Sequence, residues 1–292
     1  MATTAVVTDT THYMPLDVVA RNDIHVVSLY VNWGSPQHQD READLPDFDA
    51  FYDHLRSASD LPTTSQPSVG DFLEVYRPLL DAGRDIVSVH LSAGVSGTFE
   101  SAKQAAEQLV SEGVDAARIE VVDSASTCAG TAFTVLAAAN AARAGDSPQR
   151  AAERALAARA ETKLWFAVDT LEFLKRGGRI GGAQAWVGST LRIKPILSFE
   201  AETVPVERVR TSKRAFERLV DYLRSRHDDG ADAWAVQHIQ AHEEAARLVD
   251  RGREIYGTDP EFVSEIGPVV GTHVGPGLLG VCGAPRALLG PF

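Results

Sequence analysis

"DIVSVHLSAGVSGTFESAKQAAEQLVSEG", residues 85–113, reads in three pieces. Residues 85–92 form a short β-branched apolar run, the composition of a strand. Residues 92–98 are small and hydroxylated. From Thr98 to Gly113 apolar residues recur three and four apart, as on an amphipathic helix. A strand that turns directly into a helix is the unit from which parallel sheets are built, and the chain repeats it. "TAVVTDT" (4–10), "IHVVSLYVN" (24–32) and "IEVVDS" (119–124) predict further strands. "DFDAFYDHLRSA" (47–58), "SVGDFLEVYRPLLDAG" (68–83) and "AGTAFTVLAAANAARAG" (129–145) predict helices. The fold class is therefore α/β, with a mostly parallel sheet and helices on both faces.

The texture changes after a polar, Ala-rich helix at 145–163. Short strands, the glycine-rich loop "KRGGRIGGAQ" and a hairpin come next. A helix (213–226), the strand "AWAVQHI", a helix (242–256), another strand and a glycine-rich end complete the chain. The division predicts an N-terminal domain over 1–160 and a second α/β domain over 161–292.

A length of 292 residues with 44% hydrophobic side chains suffices for two cores. The net charge of −12, from 40 acidic and 28 basic residues, repels phosphate backbones and anionic headgroups. Nucleic-acid binding and stable membrane insertion are disfavoured on that ground. Cys128 and Cys282 stand alone, without the spacing of a disulfide framework or a zinc knuckle. The N-terminus has neither the basic nor the apolar region of a signal peptide, and no apolar run reaches 18 residues, so a cytoplasmic protein is expected.

Hydroxyls concentrate where ligands gather in open α/β sheets, at strand ends beside helix starts. "VVTDTT" (6–11) carries Asp9, "LSAGVSGT" (91–98) carries Ser96 and Gly97, and "VVDSAST" (121–127) follows the same pattern. "LPTTSQPSVGDF" (61–72) adds Thr63, Thr64, Ser65 and Ser68. Each hydroxyl is also a routine helix cap worth about 1 kcal/mol. Around Ser96 the flanking small residues admit a ligand to the backbone, and no Lys or Arg lies nearby in sequence, which suits a carboxylate better than a triphosphate. "VVGTHVGPGLLGV" (269–281) sets His273 among glycines on a connection between two strands, where an imidazole could donate to a carboxylate and carry charge near neutral pH. His238 and His242, in "HIQAH", have an i, i+4 spacing across a strand-to-helix turn with no third ligand placed, a weak zinc signal.

"VVTDTT", "TTSQPS", "LSAGVSGTFESA", "VVDSAS", "LKRGGRI", "IKPIL", "VRT" and "GTHVGPGLLGV", in this order over residues 4–284, resemble the DegV family. The resemblance implies a two-domain DegV-like fold, with a Rossmann-like N-terminal sheet and a smaller C-terminal α/β domain. It implies one bound long-chain fatty acid as ligand, no cofactor, and no catalysis by this chain itself. Family members of bacteria act as the fatty-acid-binding subunit (FakB) of fatty acid kinase. The acid is presented to a separate ATP-dependent kinase subunit, and the acyl phosphate can pass to an acyltransferase of phospholipid synthesis. Carried over, the carboxylate contacts fall on Thr64, Ser96 and His273, with Thr63, Ser65 and Gly97 as further candidates. Arg179 and Arg210 take the partner and phosphotransfer roles. The resemblance also puts most of the lipid pocket in residues 1–160. "LSAG" and "DTT" depart from the family's usual double serine and "DST", which puts local hydrogen bonding in doubt and no mapped contact. The competing reading is a hydrolase or phosphatase with Asp9 as strand-end nucleophile, although Thr11 stands where such phosphatases have a second Asp.

Overall fold

The structure, a computed structural model, describes residues 3–33, 39–45, 47–58, 60–187 and 193–290. The expected domain ends at residues 1 and 292 lie outside these. The N-terminal half supplies strands β1 (Thr4–Asp9), β2 (Ile24–Val27), β3 (Tyr30–Asn32), β4 (Asp40–Arg41), β5 (Thr63–Ser65), β6 (Asp85–His90) and β7 (Ile119–Asp123). Its helices are α1 (Leu16–Arg21), α2 (Asp49–Ser57), α3 (Val69–Asp81), α4 (Thr98–Ser111), α5 (Cys128–Arg143) and α6 (Pro148–Glu161). Strands β2-β1-β6-β7 form a four-stranded sheet, parallel throughout, as the strand-turn-helix pattern requires. Alternate side chains serve opposite faces. Ala5, Val7 and Ile86 pack against Phe72 and Tyr76 of α3 and Ala105 and Leu109 of α4. Val6, Val87, Val89 and Val122 pack on the other side with Phe133 and Leu136 of α5 and Ala151 and Ala155 of α6.

The single strand expected over 24–32 is two strands in two sheets. Ser28 breaks it: its hydroxyl donates to the Leu29 carbonyl (2.8 Å) and accepts from the Ala43 N–H (3.0 Å), drawing the chain off the parallel sheet. β3 then joins β4 and β5 in a small antiparallel sheet.

The C-terminal half supplies β8 (Lys163–Ala167), β9 (Lys194–Glu200), β10 (Glu202–Val209), β11 (Ala233–His238), β12 (Phe262–Glu265) and β13 (Leu279–Ala284). Its helices are α7 (Glu172–Arg176), α8 (Ser212–Asp228), α9 (His242–Tyr256), α10 (Pro268–Val274) and α11 (Arg286–Leu289). The sheet order is β10-β9-β8-β13-β11-β12, antiparallel except for the β11–β12 pair. β9 and β10 make the expected hairpin, turning at Ala201 in the left-handed region (φ 63°). Apolar residues of α8 and α9 cover one face of this sheet. Its other face looks toward α5, a helix buried nearly all round because it touches strands of both large sheets. Among the described residues no helix is long and apolar enough to cross a membrane.

Candidate functional site

A cavity of about 370 Å³ opens between the two halves, within the size range of small-molecule sites. Leu164, Phe166, Phe199 and Cys282 line it from the face of the C-terminal sheet away from α8 and α9, and Val269 and Val274 from α10. Leu29, Leu91 and Val95 close it from the N-terminal half. Most of the wall thus comes from beyond residue 160, where the sequence reading put it mainly in residues 1–160. The reason lies in layering. The parallel sheet has both faces filled by helices, whereas the face of the second sheet away from α8 and α9 is only partly covered, by α5.

One end of the cavity is polar. β5 runs antiparallel to β3 with Thr64 opposite Val31. Thr64 and Ser65 line the cavity, while Thr63 does not: it is exposed and accepts from Asn32 Nδ2 (3.1 Å). This hydroxyl-rich stretch is therefore a short strand, not a helix start. Ser68 behaves as a cap, paired with Asp71 in a reciprocal capping box at the start of α3.

His273 also lines the cavity, and its Nε2 lies 2.9 Å from Thr64 Oγ1. It sits on α10, a seven-residue helix, where a strand connection was expected. Pro268 opens that helix and Gly275, at φ 77°, ends it, both suited to their positions. Burial first, then the positive charge of Arg179, pushes the imidazole pKa down to about 4. At neutral pH His273 is uncharged, contrary to the expectation of a readily charged group. Its Nδ1 is buried without a partner, against Gly177, where any Cβ would strike the ring.

Ser96 reaches the cavity from the turn that leads into α4. Its Oγ shares a hydrogen bond with Thr98 Oγ1 (2.9 Å) and accepts from the Thr98 N–H (3.3 Å) at the start of that helix. Gly97 is not in the wall; the Gln66 amide occupies the space a Cβ there would need. A cation does reach this end, from far along the chain. Arg179 Nε donates to the Val95 carbonyl (3.1 Å) and Nη1 to the Gly177 carbonyl (2.8 Å), leaving an exposed guanidinium at the edge of the cavity. Arg210 is not brought there. Thr203 Oγ1 donates to the Arg179 carbonyl (2.8 Å), and Arg210 lies seven residues further along, roughly 20 Å at strand spacing.

Gln237 was not singled out by sequence. From near the end of β11 its Oε1 accepts from the Ala129 N–H (2.7 Å) and its Nε2 donates to the His12 carbonyl (3.2 Å) and Ser264 Oγ (3.0 Å). It lines the cavity while tying the N-terminus of α5 to the second sheet. The only signal in the sequence is an amide inside an otherwise apolar strand.

Asp9 does not support a nucleophile. It is fully buried and outside the cavity wall. Its carboxylate accepts from Thr11 N and Oγ1, from His90 Nδ1 (3.0 Å) and from the Leu91 N–H (3.0 Å). Burial alone would raise its pKa; the His90 hydrogen bond and charge, with Thr11 and Leu91, outweigh that and hold it low. His90 Nε2 lies 2.6 Å from Ser88 Oγ, which accepts from Tyr76 Oη (2.7 Å). The order Asp–His–Ser matches a hydrolase triad, but all four side chains are sealed from solvent. A nucleophile that no substrate can reach is a structural network.

Comparison with known proteins identifies relatives over nearly the whole chain. A family model described as an uncharacterised protein of the DegV family matches residues 3–286. Protein DegV of Bacillus subtilis is 36% identical over 281 residues, spanning 95% of this chain and 98% of its own. The crystal structure of the Bacillus subtilis DegV, described as a fatty acid binding protein, aligns with a TM-score of 0.86 at 35% identity, covering 98% of this chain and 100% of that one. A DegV family protein from Thermus thermophilus, whose structure is described by its fatty acid binding, aligns at 0.84 with 32% identity over 97% of this chain and 99% of that one.

Proposed function

This chain belongs to the DegV family, and from that premise we propose that it binds one long-chain fatty acid, tail in the interdomain cavity and carboxylate at the Thr64–Ser96–His273 end. The observation that carries the reading is the cavity's polarity: an apolar wall from two domains, ending in hydroxyls, one neutral imidazole and one arginine. Burying a methylene is worth about 0.8 kcal/mol, so the tail supplies most of the affinity and the polar end fixes direction.

A neutral His273 has a single N–H to give. Held at Nε2, that proton donates to Thr64 Oγ1 and leaves the Thr64 hydroxyl free to donate to the carboxylate. The unprotonated Nδ1 then faces the field of Arg179, which disfavours a second proton. Ser96 and the Arg179 guanidinium complete the ring of donors. A buried carboxylate without them would be too costly to hold in its charged form.

The same reading makes the chain a carrier that presents the acid to a separate ATP-dependent kinase, which forms the acyl phosphate for an acyltransferase. Arg179, exposed at the cavity edge, is suited to steady a phosphoryl group there. Arg210, on the surface well away from it, is suited to dock the partner.

Native mass spectrometry of the purified protein, followed by solvent extraction, tests the proposal. One co-purifying fatty acid per chain is expected. A protein that remains at its apo mass after incubation with several long-chain acids would sink it.

A further inference from the structure

The "HIQAH" pair gains a third member in the fold. His238 ends β11 and Glu265 ends β12; the two strands are parallel and these residues are direct register partners. The turn through Gln240 returns His242, the first residue of α9, to the same edge. One donor atom from each of the three lies within 4.8 Å of the others. The imidazole rings stand 4.5 Å apart at 69°, crossed edge to face instead of stacked. We propose that His238, His242 and Glu265 bind a single divalent transition-metal ion, of which Zn²⁺ fits best.

Two imidazole nitrogens and one carboxylate oxygen favour zinc and its neighbours over magnesium or calcium, which prefer all-oxygen sites. In a tetrahedral zinc site with bonds of about 2.0–2.2 Å, donor atoms stand roughly 3.3 Å apart. His242 is exposed and Glu265 half-buried, so both can rotate to close the remaining gap, while His238 is fixed in its strand. Three protein ligands leave the fourth position to water.

The surroundings orient the ligands. Glu265 Oε1 accepts from the backbone N–H (3.0 Å) and Nε2 (3.1 Å) of Gln240, leaving Oε2 for an ion. Gln240 is itself held by Asp49 Oδ1 (2.8 Å) and Arg56 Nη2 (2.9 Å). Such outer partners fix a ligating carboxylate. His238 Nδ1 meets only the Ala241 N–H, at 3.5 Å, a contact weak enough for a metal to displace. The positive end of α9 opposes a cation here, and Glu243 and Glu244 in its first turn offset that field. Gln237 and Ile266, the chain neighbours of His238 and Glu265, line the cavity, so a bound ion would brace the cavity's back wall.

Untagged full-length protein, treated with chelator and desalted, is titrated with ZnCl₂ against a chromophoric chelator. One saturable equivalent with a dissociation constant of about 1 μM or tighter is expected. Co²⁺ in place of zinc should give visible d–d absorption. His242→Ala and Glu265→Gln should each weaken zinc by at least about tenfold, with unchanged circular dichroism, and His227→Ala should not. No saturable equivalent in the wild type, or full affinity in both ligand variants, overturns the site.

Discussion

Thr64→Val keeps the branched shape of the side chain and removes only the hydroxyl. A hydrogen bond to a charged acceptor is worth about 1.5–3 kcal/mol, so fatty-acid affinity should fall by about tenfold to a hundredfold. Competition against a fluorescent fatty acid measures this, and the preferred tail length should not move. Affinity equal to wild type would place the headgroup elsewhere. Ser96→Ala should cost less, since Ser96 Oγ already spends part of its bonding on Thr98. Thr64, Ser96 and His273 stand out in the sequence as polar groups beside apolar runs or glycines, and the fold brings all three to the cavity wall. Arg179 was legible only through the family resemblance, because its nearness to Ser96 is created by a contact across 84 positions of chain. Gln237 was invisible for a related reason. Its partners lie 27, 108 and 225 residues away, and local pattern carries no trace of them.

At the scale of the element, α10 is where local reading fails. Seven residues are too few for helical periodicity to separate from a glycine-rich loop. What holds the helix is remote: Glu42 Oε1 accepts from the Val269 N–H (2.8 Å) in its first turn and from Tyr13 Oη (2.9 Å). Burial pushes the Glu42 pKa up to about 7, against the hydrogen bonds that it accepts. The folded state therefore binds more protons than the unfolded one between the ordinary value of 4.5 and about 7. This contribution to stability is fully present below that window and is lost as pH rises through it. Glu42→Gln resembles the protonated acid at every pH. Its melting temperature should match wild type near pH 5 and exceed it near pH 8, by an amount on the order of 3 kcal/mol in stability. Thermal melts at the two pH values decide the matter. A gap that shrinks or reverses toward pH 8 would mean that the carboxylate is the form α10 needs.

At the scale of the molecule, the two halves of the chain are joined where the β9–β10 hairpin reaches the N-terminal half. Ser92 Oγ donates to the Ala201 carbonyl (2.6 Å), and the Ala201 N–H donates to the Ala125 carbonyl (2.8 Å). The hairpin tip is thus held by the loops after β6 and β7, and Phe199 and Thr203 on either side of it line the cavity. The separate sheets were readable from sequence because each follows from its own local periodicity. Their junction was not, since it depends on the Ala201 carbonyl meeting a glycine more than a hundred positions earlier in the chain. Gly94 makes that approach possible: a Cβ there would collide with the Ala201 carbonyl. Gly94→Ala must push the tip away, at a cost of about 1–3 kcal/mol, and should weaken fatty-acid binding by displacing two cavity residues at once. Gly70→Ala is the matched control. It lies inside α3, where the new methyl would meet only Ser68 Oγ at an ordinary 3.4 Å, so stability should rise by about 0.5–1 kcal/mol with affinity unchanged. If Gly94→Ala is destabilised yet binds the acid as tightly as wild type, the hairpin holds the two halves together without shaping the site. Loss of both in the same variant, with affinity unchanged in Gly70→Ala, would mean that one contact between the two halves sets both the assembly of the fold and the shape of the cavity.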